Sequence, residues 1–122
     1  MLERDFTPEQ MMFREAYRKF LSVEIVPHME DWRAAGIVDR SAFRKAGEQG
    51  FLMVWPDEKF GGSGDDDFRF EQIIMEEGAY ARVGDWAATL HSRLVGPYLT
   101  RFGSPKQCKR YLPGCVSGET IL

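Results

Sequence analysis

A glycine-rich stretch, Gly61-Gly62-Ser63-Gly64, is the first feature of the chain whose residue types could bind a ligand, in this case a phosphate. A P-loop ends in Lys-Ser or Lys-Thr, and the dinucleotide fingerprint has a different glycine spacing. Neither is present, and the three aspartates at 65–67, which follow at once, would repel an anion. The stretch therefore predicts a tight turn whose glycines adopt positive φ.

Two adjacent carboxylates, Glu76 and Glu77, are candidates for general acid–base chemistry. Neighbouring side chains on a helix point about 100° apart, so the two carboxyls cannot readily share a proton. Glu77 falls nearer the apolar side of its helix. We expect Glu77 to be partly buried and paired with an arginine, and Glu76 to be solvated.

His91 and Ser92 are adjacent, which raises the question of nucleophilic catalysis. Helical neighbours diverge, however, and the chain has no Gly-x-Ser-x-Gly elbow. His28 is the only other histidine, and the spacing of histidines, cysteines and carboxylates fits no metal site. We therefore expect His91 to be a hydrogen-bonded histidine of the core or of a pocket, with no metal.

Cys108 and Cys115 are the only two cysteines. Seven residues separate them, so on a helix they share a face but lie about 10 Å apart along the axis, too far for a disulfide. Both are predicted to be small core residues. The residues taken alone thus show no self-sufficient catalytic site.

Five helical segments between glycines and prolines must position these side chains. Thr7 and Ser104 each open a capping box that is closed by a glutamine three residues later. Pro27 must end or kink the first helix, because proline lacks the N–H that the helix needs. The predicted segments are 7–27 with a continuation to 35, about 39–49, 67–81, 85–102, and a fifth that begins at 104.

The fourth segment carries a long apolar stripe and a proline, Pro97, that should kink it and free the carbonyl of Arg93. The stripe is either core or one wall of a ligand groove, and periodicity does not separate the two. Residues 51–55 are expected to be buried extended chain or a short turn of helix. The stripe comprises Ala87, Leu90, His91, Leu94, Tyr98 and Phe102, and the inner face of the fifth helix comprises Cys108, Tyr111, Leu112 and Cys115.

The 122 residues are 43% hydrophobic and carry a formal net charge of −3. Such a chain can bury one core and is too apolar to be disordered, and its weak acidity argues against nucleic-acid binding, which needs a basic face. No apolar run approaches the roughly 20 residues of a membrane span, and residues 1–5 resemble no targeting segment. With only two cysteines, the composition favours a reducing, cytoplasmic location in a bacterium.

The end of the chain, Thr120-Ile121-Leu122, is apolar and strand-prone. Natural termini are more often polar and frayed. We therefore expect a new element to begin here and the 122 residues to be a fragment of a longer polypeptide.

An ordered set of short segments along the whole chain resembles the N-terminal helical domain of the acyl-CoA dehydrogenases. No single segment is decisive, but together they cover essentially residues 1–122 at family-like spacings. The stretch from Leu90 to Pro113 is most similar to the long-chain subgroup. The segments are Phe6-Thr7-Pro8-Glu9-Gln10, Val26-Pro27, Lys45-Ala46-Gly47-Glu48-Gln49-Gly50-Phe51, Pro56-Asp57-Glu58-Lys59-Phe60-Gly61-Gly62-Ser63-Gly64, Glu76-Glu77, His91-Ser92, Phe102-Gly103-Ser104, Gln107, Tyr111-Leu112-Pro113 and Gly118-Glu119.

The resemblance implies an all-α domain of five to six helices that ends where a middle β domain begins, followed in the family by a four-helix bundle. It also implies a flavoenzyme of fatty acid β-oxidation. Such enzymes remove an α proton from an acyl-CoA thioester with a carboxylate base and pass the β hydride to FAD. The electrons then go to an electron-transfer flavoprotein, and the enzyme is usually a homotetramer.

The family's main catalytic elements should lie beyond Leu122. Its flavin-binding Thr-Glu…Gly-Ser-Asp segment begins there, and its catalytic glutamate belongs to the C-terminal bundle. Neither Glu76 nor Glu77 inherits that role, so no catalytic residue is assigned and FAD is expected to bind mainly to absent segments. The resemblance maps the wall of the acyl-chain pocket onto the fourth helix, where four residues would face the fatty acyl tail: Ala87, Leu90, His91 and Leu94.

Two other interpretations stay open at this point. The chain could be a stand-alone helical interaction module without catalytic domains. It could also belong to a flavin monooxygenase or a nitroalkane-oxidase-like enzyme on the same fold, because the base that would discriminate lies outside these residues.

Overall fold

The computed structural model describes residues 5–122, and these form six α-helices joined by short turns. This confirms the predicted all-α domain of five to six helices. Residues 1–4, which carry part of the prediction about targeting segments, lie outside the described residues. The helices are α1 Pro8–Phe20, α2 Met29–Ala35, α3 Arg40–Glu48, α4 Arg69–Tyr80, α5 Gly96–Phe102 and α6 Pro105–Ser117.

Irregular helical turns connect several of these elements. None of the helices within residues 5–122 combines the length and the apolar character that crossing a bilayer requires. The strand expected at 120–122 does not form within the described chain, because no strand lies beside it to pair with, and Ile121 packs against the core instead. The turns are π-helical at Leu21–Ile25 and Leu90–Val95 and of the 3-10 type at Val26–His28, Glu58–Phe60 and Gly84–Trp86.

The start of α1 has the predicted capping box. The Gln10 N–H donates to Thr7 Oγ1 at 3.1 Å, and the Thr7 N–H donates to Gln10 Oε1 at 3.0 Å. The kink at Pro27 is also confirmed: a π turn and a 3-10 turn separate α1 from α2, which ends at Gly36 with a φ of 74°. The start of α1 and the end of α2 are therefore each determined by residues within one turn of that position.

An aromatic core lies where α1, α3 and α4 meet. Tyr17, Phe20, Phe43, Phe51 and Trp86 are all buried there, and the Trp86 Nε1–H donates to the Tyr17 hydroxyl at 3.1 Å. Burying each large apolar side chain contributes about 1.5–3 kcal/mol relative to its exposure. For residues 51–55 the sequence predicted either buried extended chain or a short turn of helix. Residues 51–53 are buried and do not form a helix, which rules out the second alternative for them.

Close backbone contact between α3 and α6 depends on two glycines. A Cβ added at Gly47 would collide with the Ser117 carbonyl, and one added at Gly118 would collide with the Phe43 carbonyl. The inner face of α6 packs through Leu112, Cys115 and Val116.

Tyr111, predicted to lie on the inner face of α6, is exposed instead. It precedes Leu112 by one residue and therefore points about 100° away from the buried face.

Candidate functional site

The paired carboxylates belong to an ion-pair network between α1 and α4. Arg14 donates from Nη1 to Glu77 Oε1 at 2.7 Å and from Nη2 to Glu76 Oε2 at 2.8 Å, and Arg18 Nε donates to Glu77 Oε2 at 2.8 Å. The Glu77 side chain is only 3% exposed. Hydrogen bonds and charge from Arg18, then Arg14, lower the pKa of Glu77, so it stays ionised.

The predicted burial and pairing of Glu77 are thus confirmed, whereas the prediction of a solvated Glu76 is wrong. One oxygen of Glu76 accepts from Arg14, and the other accepts from Gln72 Nε2 at 3.0 Å. Arg14 reaches both carboxylates because α1 lies along α4, a tertiary contact that helical periodicity alone does not reveal.

The glycine-rich stretch forms the predicted tight turn. Gly61 and Gly64 have φ values of 94° and 72°, which favour glycine. Both the backbone N–H and the hydroxyl of Ser63 donate to the Val54 carbonyl, at 2.9 and 2.8 Å. The turn therefore bonds to its own chain and presents no phosphate cradle.

Two of the three aspartates that follow are paired with arginines. Asp67 pairs with Arg69 at 2.6 Å, and that hydrogen bond lowers the pKa of Asp67 to about 2. Asp66 accepts from Arg93 Nη1 at 2.7 Å. These described residues do not fit the pyrophosphate of a flavin.

His91 is a fully buried histidine whose two ring nitrogens are both engaged. Nε2 lies 2.8 Å from the Cys115 carbonyl, and the Leu122 N–H donates to Nδ1 at 3.1 Å. Because Nδ1 accepts, Nε2 must carry the proton of a neutral ring. Burial lowers the pKa of His91, which favours the same neutral form. The predicted hydrogen-bonded core histidine is confirmed.

The fourth predicted helix is not one continuous helix. Gly84–Trp86 is a 3-10 turn, Ala87 follows with a φ of 60°, and a π-helical segment runs over Leu90–Val95 before α5 begins at Gly96. Pro97 lies in the first turn of α5, directly after the π turn. The backbone stays right-handed helical through Val95 and Gly96, and the Gly96 N–H donates to the His91 carbonyl, so the irregularity expected at Pro97 takes the form of a π turn before it.

Buried hydrogen bonds hold the π segment against residues 51–55. The Met53 N–H donates to Ser92 Oγ at 3.2 Å, and the Trp55 Nε1–H donates to the Ser92 carbonyl at 2.8 Å. Gly96 allows the close approach, since a Cβ there would lie 2.8 Å from Met53 Cε. The side of the segment that carries His91 and Ser92 is thereby fixed in the interior.

The opposite side of this segment borders an apolar cleft of about 280 Å³ between α4 and residues 83–90. Two of the four predicted acyl-facing residues, Ala87 and Leu90, line it, together with Met75, Gly78 and Ala79 among others. Leu90 is 52% exposed, because nothing within residues 5–122 covers it. His91 and Leu94 are not among the lining residues.

The predicted apolar stripe is therefore divided between interior and surface. His91 is buried, whereas Leu94, Tyr98 and Phe102 continue from Leu90 as an exposed band at four-residue spacing. Phe102, at the far end, is 75% exposed. Exposed apolar bands of this size usually meet another surface or a ligand.

Glu71 is a buried carboxylate that was not among the candidate residues named from the sequence. It is buried on α4, and its Oε1 has no hydrogen-bond partner in the described structure. Burial raises the pKa of Glu71, and a side-chain hydrogen bond with Thr89 opposes that shift. The one signal in the sequence is position: Glu71 lies four and seven residues before the cleft-lining Met75 and Gly78, so it belongs to the same row of α4.

Both cysteines are free. Cys115 is a core residue as predicted, and burial raises its pKa to about 11, so it is a poor nucleophile. Cys108 is half-buried, and its Sγ donates to the Leu99 carbonyl at 3.2 Å.

Comparison with known proteins identifies the family of this domain. The model for "Acyl-CoA dehydrogenase, N-terminal domain" matches residues 7–119. The chain belongs to the acyl-CoA dehydrogenase family. Along 98% of its length, this acyl-CoA dehydrogenase domain is 38% identical to the long-chain specific acyl-CoA dehydrogenase, mitochondrial, of Sus scrofa.

Solved structures agree with this assignment. The crystal structure of acyl-CoA dehydrogenase from Geobacillus kaustophilus superposes on 98% of the chain with a TM-score of 0.90 and 42% identity. Acyl-CoA dehydrogenase complexed with FAD from Bacillus anthracis superposes on 99% with a TM-score of 0.81 and 25% identity. The chain spans 28% of the Sus scrofa protein, 31% of the Geobacillus chain and 21% of the Bacillus chain.

Proposed function

We propose that this chain is the N-terminal domain, residues 1–122, of a flavin-dependent enzyme that introduces an α,β double bond into fatty acyl-CoA thioesters. The observation that carries the proposal is the open apolar cleft beside α4 in a domain of this family. The domain supplies a wall for the acyl chain. Burying alkyl carbon against such a wall is favourable by roughly 0.8 kcal/mol per CH₂.

The four residues assigned to the acyl-chain wall from the sequence have different roles in this proposal. Ala87 and Leu90 border the cleft, and the small Ala87 side chain leaves room for the alkyl chain. Leu94 extends the apolar surface beyond it. His91 lies behind the wall and fixes the π segment to α6 through the Cys115 carbonyl, so that Leu90 keeps its position.

The remaining chemistry belongs to residues outside this chain. FAD, when bound, accepts the hydride, and we propose that segments beyond residues 1–122 hold it, together with the catalytic base. The work of the described residues is to bind the apolar tail and exclude water from it. An electron-transfer flavoprotein as acceptor, a homotetrameric assembly and a location in the bacterial cytoplasm complete the proposal.

The cleft is tested by Leu90→Asp in the full-length holoenzyme. A carboxylate at this position would be desolvated against alkyl carbon, so we expect kcat/KM for a long-chain acyl-CoA to fall at least about 100-fold. Met12→Asp is the matched control, because Met12 is 71% exposed on α1 and does not line the cleft. Unchanged activity of Leu90→Asp would show that the acyl chain binds elsewhere.

The proposal that FAD binds to segments outside residues 1–122 is tested by titrating FAD into the isolated 122-residue chain. We expect no stoichiometric binding, because the glycine turn bonds to its own backbone and Asp66 and Asp67 are paired with arginines. Tight binding at one flavin per chain would overturn the assignment of the cofactor site to other segments.

A further inference from the structure

Charge is distributed very unevenly along the chain. Residues 86–118 hold five cationic side chains and no aspartate or glutamate. Because the whole chain has 16 Lys and Arg against 19 Asp and Glu, the other residues carry 11 cations against 19 anions. A weakly acidic total therefore hides one strongly basic stretch.

Four of these cations are exposed and cluster around α6. Lys106, Lys109 and Arg110 occur at i, i+3 and i+4, which places them on one helix face, and Arg101 ends the neighbouring α5. Among the described residues no carboxylate lies within ion-pair distance of any of the four, whereas Arg93 pairs with Asp66. Within residues 5–122 their charge is thus not neutralised by an ion pair.

Exposed aromatic rings lie among these cations. Tyr98 and Phe102 have ring centroids 5.9 Å apart, and the Arg110 guanidinium lies 5.1 Å from the centroid of Tyr111. A groove of about 780 Å³, lined in part by Thr100, Pro105, Lys109 and Pro113, runs between α5 and α6. We call this surface the basic aromatic face, and its members are Tyr98, Arg101, Phe102, Lys106, Lys109, Arg110 and Tyr111.

We propose that the basic aromatic face binds the surface of an anionic phospholipid bilayer. Cations near such a surface each contribute about 1 kcal/mol of attraction. Aromatic rings are favoured at the depth of the headgroups, where the apolar part of the ring leaves water and the polar atoms stay hydrated. The face offers both kinds of side chain without a competing carboxylate.

A bilayer matches this face better than a nucleic acid or an acidic protein. Nucleic-acid binders need phosphate contacts over an extended surface, whereas the basic stretch of this chain is confined to residues 86–118. Tyr98 and Phe102 project from one side of a short helix, as in side chains that insert shallowly into a membrane. This inference does not depend on the proposed dehydrogenase activity.

The test is co-sedimentation of the full-length protein with lipid vesicles. We expect binding to vesicles that contain phosphatidylglycerol and none to phosphatidylcholine alone, with a loss of binding in high salt, because salt screens the exposed charges. The double variant Lys106→Gln/Lys109→Gln should weaken binding about 30-fold, since each cation contributes about fivefold. Phe102→Ser should weaken binding at every salt concentration at which the unmodified protein binds.

The matched control is Lys19→Gln/Lys45→Gln, which removes the same charge from α1 and α3 and should leave vesicle binding within about twofold of the unmodified protein. Circular dichroism confirms that both double variants are folded. Absence of binding to phosphatidylglycerol vesicles, or an equal loss in the control, would overturn the proposal. So would vesicle-independent capture by a soluble polyanion that Lys106→Gln/Lys109→Gln abolishes, because it would assign the face to an acidic macromolecule.

Discussion

The interface between α1 and α4 and the boundary between α4 and the segment from Gly84 to Phe102 treat buried carboxylates in opposite ways. At the interface, all four carboxylate oxygens of Glu76 and Glu77 accept hydrogen bonds. Facing the second segment, Glu71 Oε1 accepts none. The interface is built from regular helices, whereas the segment combines a 3-10 turn, a positive φ at Ala87 and a π turn.

We infer that the interface between α1 and α4 stabilises the fold, whereas the segment from Gly84 to Phe102 provides surface for binding. A fully satisfied polar network holds two helices in one relative position. An irregular segment with exposed leucines leaves apolar surface for a ligand. The cleft proposed to receive the acyl chain lies between the two, with α4 as one wall and the irregular segment as the other.

The largest effect is expected from Arg14→Met at the satisfied interface. Arg14 is the buried arginine that bonds to both carboxylates, so its removal takes a buried cation away from both and leaves Glu77 with the exposed Arg18. We expect the free energy of unfolding to fall by about 3 kcal/mol. Urea unfolding followed by tryptophan fluorescence measures it.

Arg18→Met is the matched control for that measurement. Arg18 contacts the same Glu77, but its side chain is 62% exposed. Its loss should cost about 1 kcal/mol or less. Equal losses for the two arginines would remove the distinction drawn between a buried network and ordinary surface pairs.

A gain in stability is expected from Glu71→Leu, on the part of α4 that faces the irregular segment. The substitution removes a buried carboxyl whose Oε1 has no partner, and it should raise the free energy of unfolding at pH 7 by about 1–2 kcal/mol. The same urea experiment measures it. A loss of stability would mean that Glu71 is fully satisfied and that the two regions do not differ in this respect.

The Glu71→Leu gain should also depend on pH. Burial raises the pKa of Glu71 above its ordinary 4.5, so above that pH the folded protein binds the proton more tightly than the unfolded chain. Glu71 therefore destabilises the fold progressively as the pH rises from 4.5. The advantage of the leucine variant should grow from pH 4.5 to 7, and a flat difference would contradict the raised pKa.

The smallest effects are expected at the two capping boxes, one opening α1 and the other opening α6. Thr7→Ala and Ser104→Ala each remove the oxygen that accepts an N–H of the first turn, from Gln10 and Gln107 respectively. Each should cost about 1 kcal/mol in thermal or urea unfolding. A clearly larger loss at Thr7 would show that the cap is coupled to the nearby network on α4, where Gln10 also donates to Asp67.

The sequence was sufficient wherever local chemistry decides the structure. The caps at Thr7 and Ser104, the kink at Pro27 and the glycine turn depend on the residues within one turn of each position, and all are confirmed. The pairing of Glu77 with an arginine was also predictable, because a carboxylate on an apolar face needs a cation. The family and the all-α fold followed from the ordered segments along the chain.

What the sequence could not provide depends on contacts between distant segments. Helical periodicity reveals neither the π turn at Leu90–Val95 nor which side of the stripe faces the interior. It therefore did not separate the buried His91 from the exposed band that begins at Leu90. Glu76 was misjudged because Arg14 reaches it from another helix. Glu71 was missed because only the fold shows that Oε1 faces no donor.

The neutral His91 ring, which is hydrogen-bonded at both nitrogens, can be followed by NMR in solution. A ring that donates from Nε2 and accepts at Nδ1 is held in one tautomer, and nitrogen NMR distinguishes that tautomer from the exchanging mixture of a free imidazole. Because the Nδ1 bond comes from the Leu122 N–H, the His91 signals report whether residue 122 is docked against the helices. An isotope label on His91 thus serves as an internal sensor of whether Leu122 stays docked against the helices.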